Sequence, residues 1–291
     1  MVQAECWFGR AFVVATVLLV AAAILGARLS NSTTLFILVA GVVALGLPHG
    51  ALDPMVARKA FATHLRYNSL IFYAGYLLAV FSYTLLWIRL PTLGLASFLM
   101  ISAYHFGSDW YPRGSVLTRL GYGLTVVTLP ALLHAGDVAK IFALLGTHHA
   151  QTLVDISKGL APFALTVGGV GAVLQFKRRR KDLVEFLVIV AGALMLEPLV
   201  FFTCYFSLLH SPRHLLETAK DLGLTSFTSL ALKTFSILLA TLLLVGLFYR
   251  SLRDVSMSGR IVMTVFIGLA SLTVPHMLLE SLASRLRRSQ S

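Results

Sequence analysis

Five of the nine histidines lie within apolar stretches that are long enough to cross a membrane. These five are His49, His105, His210, His214 and His276. Ionisable residues inside membrane segments usually face the interior of a helix bundle and mark functional pathways. Imidazoles that converge there suit a transition metal such as iron, copper or zinc. The histidines therefore predict a metal site between membrane helices.

The spacing of two histidines favours a shared metal ion. His210 and His214 are four residues apart, so on a helix both side chains project from one face. Pro212 lies between them and lacks a backbone N–H, and we expect it to kink that turn. On its own, the H-x-x-x-H pattern is weak support for a metal.

A carboxylate follows each of the other three histidines by four residues. The pairs are His49 with Asp53, His105 with Asp109, and His276 with Glu280. A carboxylate one turn along a helix can accept the proton of the imidazole nitrogen that does not bind metal, which fixes the tautomer. The alternative is an acid at a helix end that pairs with a nearby arginine.

Helix-breaking and aromatic residues cluster beside the same histidines. The breakers are Pro48, Gly50, Gly107, Pro212 and Pro275. In a bilayer they are tolerated where neighbouring groups or an internal cavity satisfy the freed backbone, so they indicate a cavity. Candidates to line a tunnel for a long apolar substrate are Tyr104, Phe106, Phe202, Tyr205 and Phe206. Ordinary helix packing is the alternative for each of them.

Composition identifies the elements that must position these residues. The chain has 291 residues, of which 57% are hydrophobic and only 12% charged, and its mean hydropathy is +0.84. A soluble domain usually carries about 25% charged residues. The chain is therefore predicted to be an all-α, polytopic transmembrane bundle that forms a single domain over residues 1–291.

Apolar runs of about 20 residues predict ten membrane spans. The spans lie at 11–27, 34–56, 69–90, 93–112, 116–135, 159–176, 183–197, 199–217, 231–249 and 260–281. The seventh is short and ends at Glu197 and Pro198, so it could be re-entrant, which leaves eight to ten spans. In this topology the spans that carry the five histidines run in the same direction, and the histidines share one membrane depth.

The basic residues set the predicted orientation. The net charge is +12, but lysines and arginines lie between the apolar runs, where they face anionic lipid, so a nucleic-acid partner is excluded. Of the 24 lysines and arginines, 17 fall on one side of the membrane in this topology. This bias predicts that both termini are in the cytoplasm and that the chain lies in the cell (inner) membrane. His64, His134, His148 and His149 fall outside the common depth and are expected to be uninvolved.

Four motifs occur in order between residues 46 and 280. They are PHGALD, YHFGSDW, LLHSPRH and PHMLLE. This set resembles the Brp/Blh family of membrane β-carotene 15,15′-dioxygenases. The resemblance implies a non-haem Fe(II) enzyme that uses O₂ to split β-carotene into two molecules of retinal. It implies His49, His105, His210 and His214 as iron ligands, with His276 as a further ligand or a residue that shapes the site.

The resemblance also implies routes for substrate and product. β-Carotene dissolved in membrane lipid would enter laterally between helices, and retinal would leave the same way or pass to an opsin-type acceptor. Two other classes of membrane protein also use histidines. A di-iron hydroxylase or desaturase would need more paired histidines, and here His148 and His149 form the only adjacent pair. A transporter or haem carrier could also use histidines inside the membrane.

Overall fold

The computed structural model describes residues 2–61, 68–110, 115–175, 180–224 and 226–288, and within them it leaves a few side chains undescribed. All regular structure in these residues is helical, which confirms the all-α prediction. A large apolar core draws buried side chains from helices along the whole chain, among them Phe12, Trp87, Tyr122 and Ile189. The assignment of 1–291 to a single domain stays a prediction.

The helices follow one another with short connections. They are α1 (Val2–Ile24), α2 (Asn31–Gly41), a first π-helical segment (Val42–Gly46), α3 (Leu47–Gly50), α4 (Asp53–Phe61), α5 (Ser69–Arg89), α6 (Pro91–Trp110), α7 (Val116–Thr128), α8 (Pro130–Leu133), α9 (Ala135–Leu144), α10 (Ala150–Gln175), α11 (Arg180–Met195), α12 (Pro198–Cys204), a second π-helical segment (Tyr205–His210), α13 (Ser211–Asp221), α14 (Phe227–Ser251) and α15 (Met257–Arg288).

Six stretches are long and apolar enough to cross a membrane. They are Cys6–Ile24, Ser69–Arg89, Val116–Leu133, Ala150–Leu174, Phe227–Ser251 and Met257–Leu286, and a shorter apolar helix covers Asn31–Gly46. The chain is therefore an integral membrane protein of several spans. The total of eight to ten spans stays a prediction for the remaining segments.

Polar side chains begin several of these helices. Ser30, Asn68, Ser115 and Ser226 each accept a hydrogen bond from a backbone N–H in the first helical turn. Such caps satisfy N–H groups that have no partner within the helix. They explain why helices start at these points in a sequence that is apolar on both sides.

Both π-helical segments lie directly before a proline in a histidine motif. Leu47, just before Pro48, donates its N–H to the carbonyl of Val42, and Ser211, just before Pro212, donates to Phe206. These five-residue steps widen the helix where the proline ring would clash with a carbonyl four residues earlier. The expected irregularity at Pro212 is thus a widened turn ahead of the proline, which lies in the first turn of α13.

Close packing explains several glycines. A Cβ at Gly41 would lie 2.6 Å from Ser207 Oγ, and one at Gly46 would lie 2.6 Å from Phe206 Cε1. The absence of these side chains lets the two π-helical segments pack together. Gly107 likewise faces the backbone carbonyl of Arg119 in α7. Gly107 was expected to mark a cavity, and instead it allows α6 and α7 to approach closely.

Candidate metal centre

Four of the five predicted histidines meet in the interior of the bundle. His105 comes from α6, His210 ends the second π-helical segment, His214 lies in α13 and His276 lies in α15. All four are buried, with exposed fractions between 1% and 9%. The side chain of His49 lies outside the described part of the structure. Side chains from three separate parts of the chain thus form one histidine cluster.

The imidazole rings are close enough to act together. The His105 ring centroid lies 4.8 Å from that of His210 and 5.5 Å from those of His214 and His276. The His214 and His276 centroids are 5.0 Å apart. The rings of His210 and His214 are nearly parallel, at 8°, with centroids 6.3 Å apart. This parallel arrangement agrees with a common helix face for residues four apart.

Glu280 joins the cluster through more than one histidine. Its Oε1 atom lies 3.1 Å from His214 Nε2 and 3.8 Å from His276 Nε2, and its Oε2 atom lies 4.0 Å from His105 Nδ1. The i,i+4 spacing predicts contact with His276 alone. The shortest distance is instead to His214 on another helix, so Glu280 faces the centre of the cluster.

Asp53 supports His276 from outside the cluster. His276 Nδ1 donates a hydrogen bond of 2.8 Å to Asp53 Oδ1, and Tyr76 Oη donates one of 2.8 Å to Asp53 Oδ2. The sequence spacing had paired Asp53 with His49. No sequence pattern indicates Tyr76, because it lies in an apolar span, α5, and no spacing connects it to a motif. The side chain of Asp109 lies outside the described residues.

An arginine in the LLHSPRH motif holds α13 in place. Arg213 donates a hydrogen bond of 2.8 Å from one terminal nitrogen to Glu185 Oε2 of α11, and both side chains are largely buried. Arg213 is the neighbour of His214 in the chain. The ion pair therefore ties the helix that carries His210 and His214 to a second helix.

Aromatic rings surround His210. Phe106 and Phe206 lie 4.7 and 5.6 Å from it between centroids, and Tyr205 lies at 6.2 Å. Phe202 stacks on Phe206 at 5.2 Å, one ring further out. These four tunnel candidates are thus brought together. Tyr104 is not, because it is half exposed and its ring lies 5.7 Å from the Arg119 guanidinium.

The histidines expected to be uninvolved lie elsewhere where they are described. His134 Nε2 lies 3.0 Å from the backbone oxygen of Leu194. His148 and His149 are exposed. His64 lies outside the described residues. None of the described three contributes to the histidine cluster.

The donor set fits a bound transition metal. His214, His276 and Glu280 can each offer one ligand atom, and these atoms all lie within 4.8 Å of one another. Imidazoles combined with a carboxylate are typical ligands of non-haem Fe(II) in oxygenases. Buried imidazoles and a carboxylate that face a common point are therefore suited to hold a transition metal.

Comparisons with known proteins agree on one family. The family model described as beta-carotene 15,15′-dioxygenase matches residues 40–283. The curated "Beta-carotene 15,15'-dioxygenase" of uncultured marine bacterium 66A03 is 33% identical over 255 residues, which cover 82% of this chain and 90% of that protein. No solved structure matches the chain. The matched region includes all five predicted histidines, Asp53 and Glu280.

Proposed function

The chain belongs to the β-carotene 15,15′-dioxygenase family, and from that premise we propose that it cleaves the central double bond of β-carotene with O₂ to give two molecules of retinal. The buried cluster of His105, His210, His214 and His276 carries this proposal. Family membership argues against the hydroxylase, transporter and haem-carrier alternatives.

The proposed cofactor is Fe(II), held by imidazoles of the histidine cluster. When bound, the iron supplies the redox chemistry that lets O₂ react with an alkene. Two ligand sets are consistent with the chain. The family resemblance implies His49 with His105, His210 and His214. The geometry adds His276 and Glu280, since each has an atom within 3.8 Å of the other and Glu280 Oε1 lies 3.1 Å from His214.

Asp53 orients one member of the cluster. By accepting the Nδ1 proton of His276, the carboxylate keeps the lone pair on Nε2, the nitrogen that faces Glu280. Tyr76 donates to the other carboxylate oxygen and holds Asp53 in place. These residues fix an imidazole before any ligand arrives, which lowers the cost of ordering it.

The aromatic rings around His210 are proposed to hold the polyene and exclude water. Phe106, Tyr205 and Phe206 are buried and in contact with the imidazole. A hydrocarbon offers no hydrogen bonds, so it is bound by the shape and the apolar surface of its site. Excluding water from the site also prevents side reactions of reactive intermediates.

The membrane supplies the substrate in this proposal. β-Carotene enters laterally from the lipid, and retinal returns to the lipid or passes to an opsin-type acceptor. The bias of basic residues supports a cell-membrane location with both termini in the cytoplasm.

The decisive experiment is co-expression with a β-carotene biosynthetic pathway. Loss of the yellow pigment together with extraction of retinal is the expected result. A His105→Ala variant expressed to the same level measures the pigment loss and the retinal that do not depend on the histidine cluster. Pigment that persists alongside the wild-type protein, with no retinal, would overturn the proposed activity.

A further inference from the structure

A largely apolar cavity of about 390 Å³ lies between α14, α15 and the segment that runs from α2 through the first π-helical segment. We call it the lateral cavity. Its walls include Leu47, which begins α3 directly after this segment, Gly246 on α14, and Thr264, Gly268 and Leu269 on α15. Both α14 and α15 are candidate membrane spans. The lateral cavity therefore lies where a lipid-dissolved molecule can reach it.

Two walls of the lateral cavity continue along the chain into the histidine motifs. Leu47 lies two residues before His49, and Leu269 lies seven residues before His276. At the rise of an α-helix, Leu269 is about 10 Å and Thr264 about 18 Å from His276 along α15. Half of an extended carotenoid, from its central double bond to its end ring, has a length of this order. The separation between the histidine cluster and the lateral cavity along α15 therefore matches half the length of such a polyene.

Thr264 is a polar exception in this apolar lining. It is 7% exposed, and its Oγ1 atom is buried without a hydrogen-bond partner among the described residues. Two neighbouring hydroxyls on α15 are satisfied: Ser271 pairs with Thr84 at 2.8 Å, and Thr273 donates to the carbonyl of Leu269 at 2.8 Å. A buried hydroxyl with no partner is unfavourable. A ligand oxygen in the cavity would satisfy it.

We propose that the lateral cavity binds one end ring of the carotenoid and that Thr264 recognises an oxygen substituent on that ring. The inference rests on the proposed cleavage of carotenoids. The apolar walls bind the ring by shape, and Thr264 Oγ1 supplies a single polar contact, the usual division of roles in a ligand pocket.

Filling the lateral cavity tests where the ring binds. A Cβ at Gly268 would meet only Val245 Cγ2, at an ordinary 3.9 Å, so the start of a larger side chain fits there. We expect Gly268→Leu to raise the KM for β-carotene at least about ten-fold, since misfits of methyl size cost roughly 10–200-fold in apolar pockets. Gly159→Leu is the matched control, because Gly159 is an exposed helical glycine of α10 with open space around it. An unchanged KM in Gly268→Leu would overturn the ring site.

Removing the Thr264 hydroxyl tests its recognition of oxygen. The substrates are β-carotene and β-cryptoxanthin, which is β-carotene with a hydroxyl on one ring. In Thr264→Val the ratio of kcat/KM for β-cryptoxanthin to that for β-carotene should fall about five- to ten-fold, the worth of one buried hydrogen bond. Thr264→Ser should restore most of the ratio.

Thr16→Val provides the matched control. Thr16 is fully buried, lines a separate apolar cavity between α1 and α11, and also has no hydrogen-bond partner for Oγ1 among the described residues. The ratio should not change in this variant. An unchanged ratio in Thr264→Val, or an equal change in Thr16→Val, would refute the role of Thr264.

Binding in the absence of O₂ separates this inference from the proposed function. Purified protein with its metal is titrated with each carotenoid under argon, and binding is followed by the shift of carotenoid absorption. If discrimination depends on Thr264 but no carotenoid is cleaved in air, the proposed function fails alone. If β-carotene is cleaved but neither Thr264→Val nor Gly268→Leu affects binding, only the further inference fails.

Discussion

The imidazole of His276 donates from Nδ1 to Oδ1 of Asp53 at 2.8 Å, although 223 positions separate the two residues in the chain. Both are buried, with exposed fractions of 4% and 3%. A carboxylate that accepts the Nδ1 proton selects the imidazole tautomer whose lone pair is on Nε2. That nitrogen faces Glu280 at 3.8 Å, so Asp53 sets how His276 meets the centre of the cluster.

Replacing Asp53 by asparagine should weaken iron binding without removing a ligand. Residues that orient a metal-bound histidine typically contribute about 10–100-fold in affinity or activity, and we expect Asp53→Asn to fall in that range. Competition with a chelator measures iron affinity directly. Asp137→Asn is the control, since the side chain of Asp137 is half exposed and its carboxylate pairs with Lys140 at 3.0 Å. Wild-type iron affinity in Asp53→Asn would exclude the orienting role.

Tyr76 tests the next link of the same chain of hydrogen bonds. In Tyr76→Phe, Asp53 loses the hydrogen bond from Tyr76 and keeps the one from His276. We therefore expect a smaller loss of iron affinity than in Asp53→Asn, about five-fold for one hydrogen bond. The electron paramagnetic resonance spectrum of the nitric oxide adduct of the iron should also shift. Tyr73→Phe changes a more exposed ring of the same helix and should match the wild type. An unchanged spectrum in Tyr76→Phe would remove Tyr76 from the site.

The sequence predicted the helical class and the four described histidines because both depend on local patterns. Apolar runs of fixed length identify membrane helices, and histidines within such runs are rare enough to stand out. The acids were predicted less well. The i,i+4 rule selected Asp53 and Glu280 and assigned each a partner within its own helix: Glu280 does lie 3.8 Å from His276, whereas the pairing of Asp53 with His49 stays a prediction. Among the described side chains, the shortest histidine contacts of Asp53 and Glu280 cross between helices, and they depend on packing that no local pattern encodes.

Tyr76 and the lateral cavity could not be predicted for the same reason. Tyr76 becomes significant only because α5 lies against the start of α4, which carries Asp53. For Gly107, the sequence indicated a feature that differs from the one in the structure. Its position beside His105 suggested a cavity, whereas its lack of a side chain serves the contact between α6 and α7.

Variants of the cluster can decide which atoms hold the iron. Alanine at His105, His210 or His214 should abolish retinal formation and leave little bound iron, since loss of one imidazole disrupts affinity and geometry together. If Glu280 is a ligand, Glu280→Gln and His276→Ala should lose iron as completely as His214→Ala. If His49 completes the ligand set instead, Glu280→Gln should lower the iron affinity by only about 10–100-fold, as expected for a residue that supports a ligand.

The control for these variants is the double replacement of His148 and His149. Both are exposed and lie in the connection before α10, so the double variant should produce retinal at the wild-type rate. Full activity in any two of the His105, His210 and His214 variants would contradict a metal centre built on these imidazoles. An inactive but folded His148 and His149 double variant would mean that the ligands were misassigned.

The contact between α6 and α7 supplies a prediction about stability. A Cβ at Gly107 would collide with the carbonyl of Arg119, which is backbone and cannot rotate away. Gly107→Ala should therefore push α6 from α7, displace His105 two residues earlier, and destabilise the fold by about 1–3 kcal/mol, the usual cost of overpacking. Gly75→Ala in α5 is the control, because nothing lies within 4 Å of its Cβ position and alanine favours a helix by up to about 1 kcal/mol. Thermal unfolding in detergent should show a lower Tm for the first variant and an equal or higher Tm for the second. Equal Tm values at or above the wild type would mean that α6 and α7 are further apart than the structure places them.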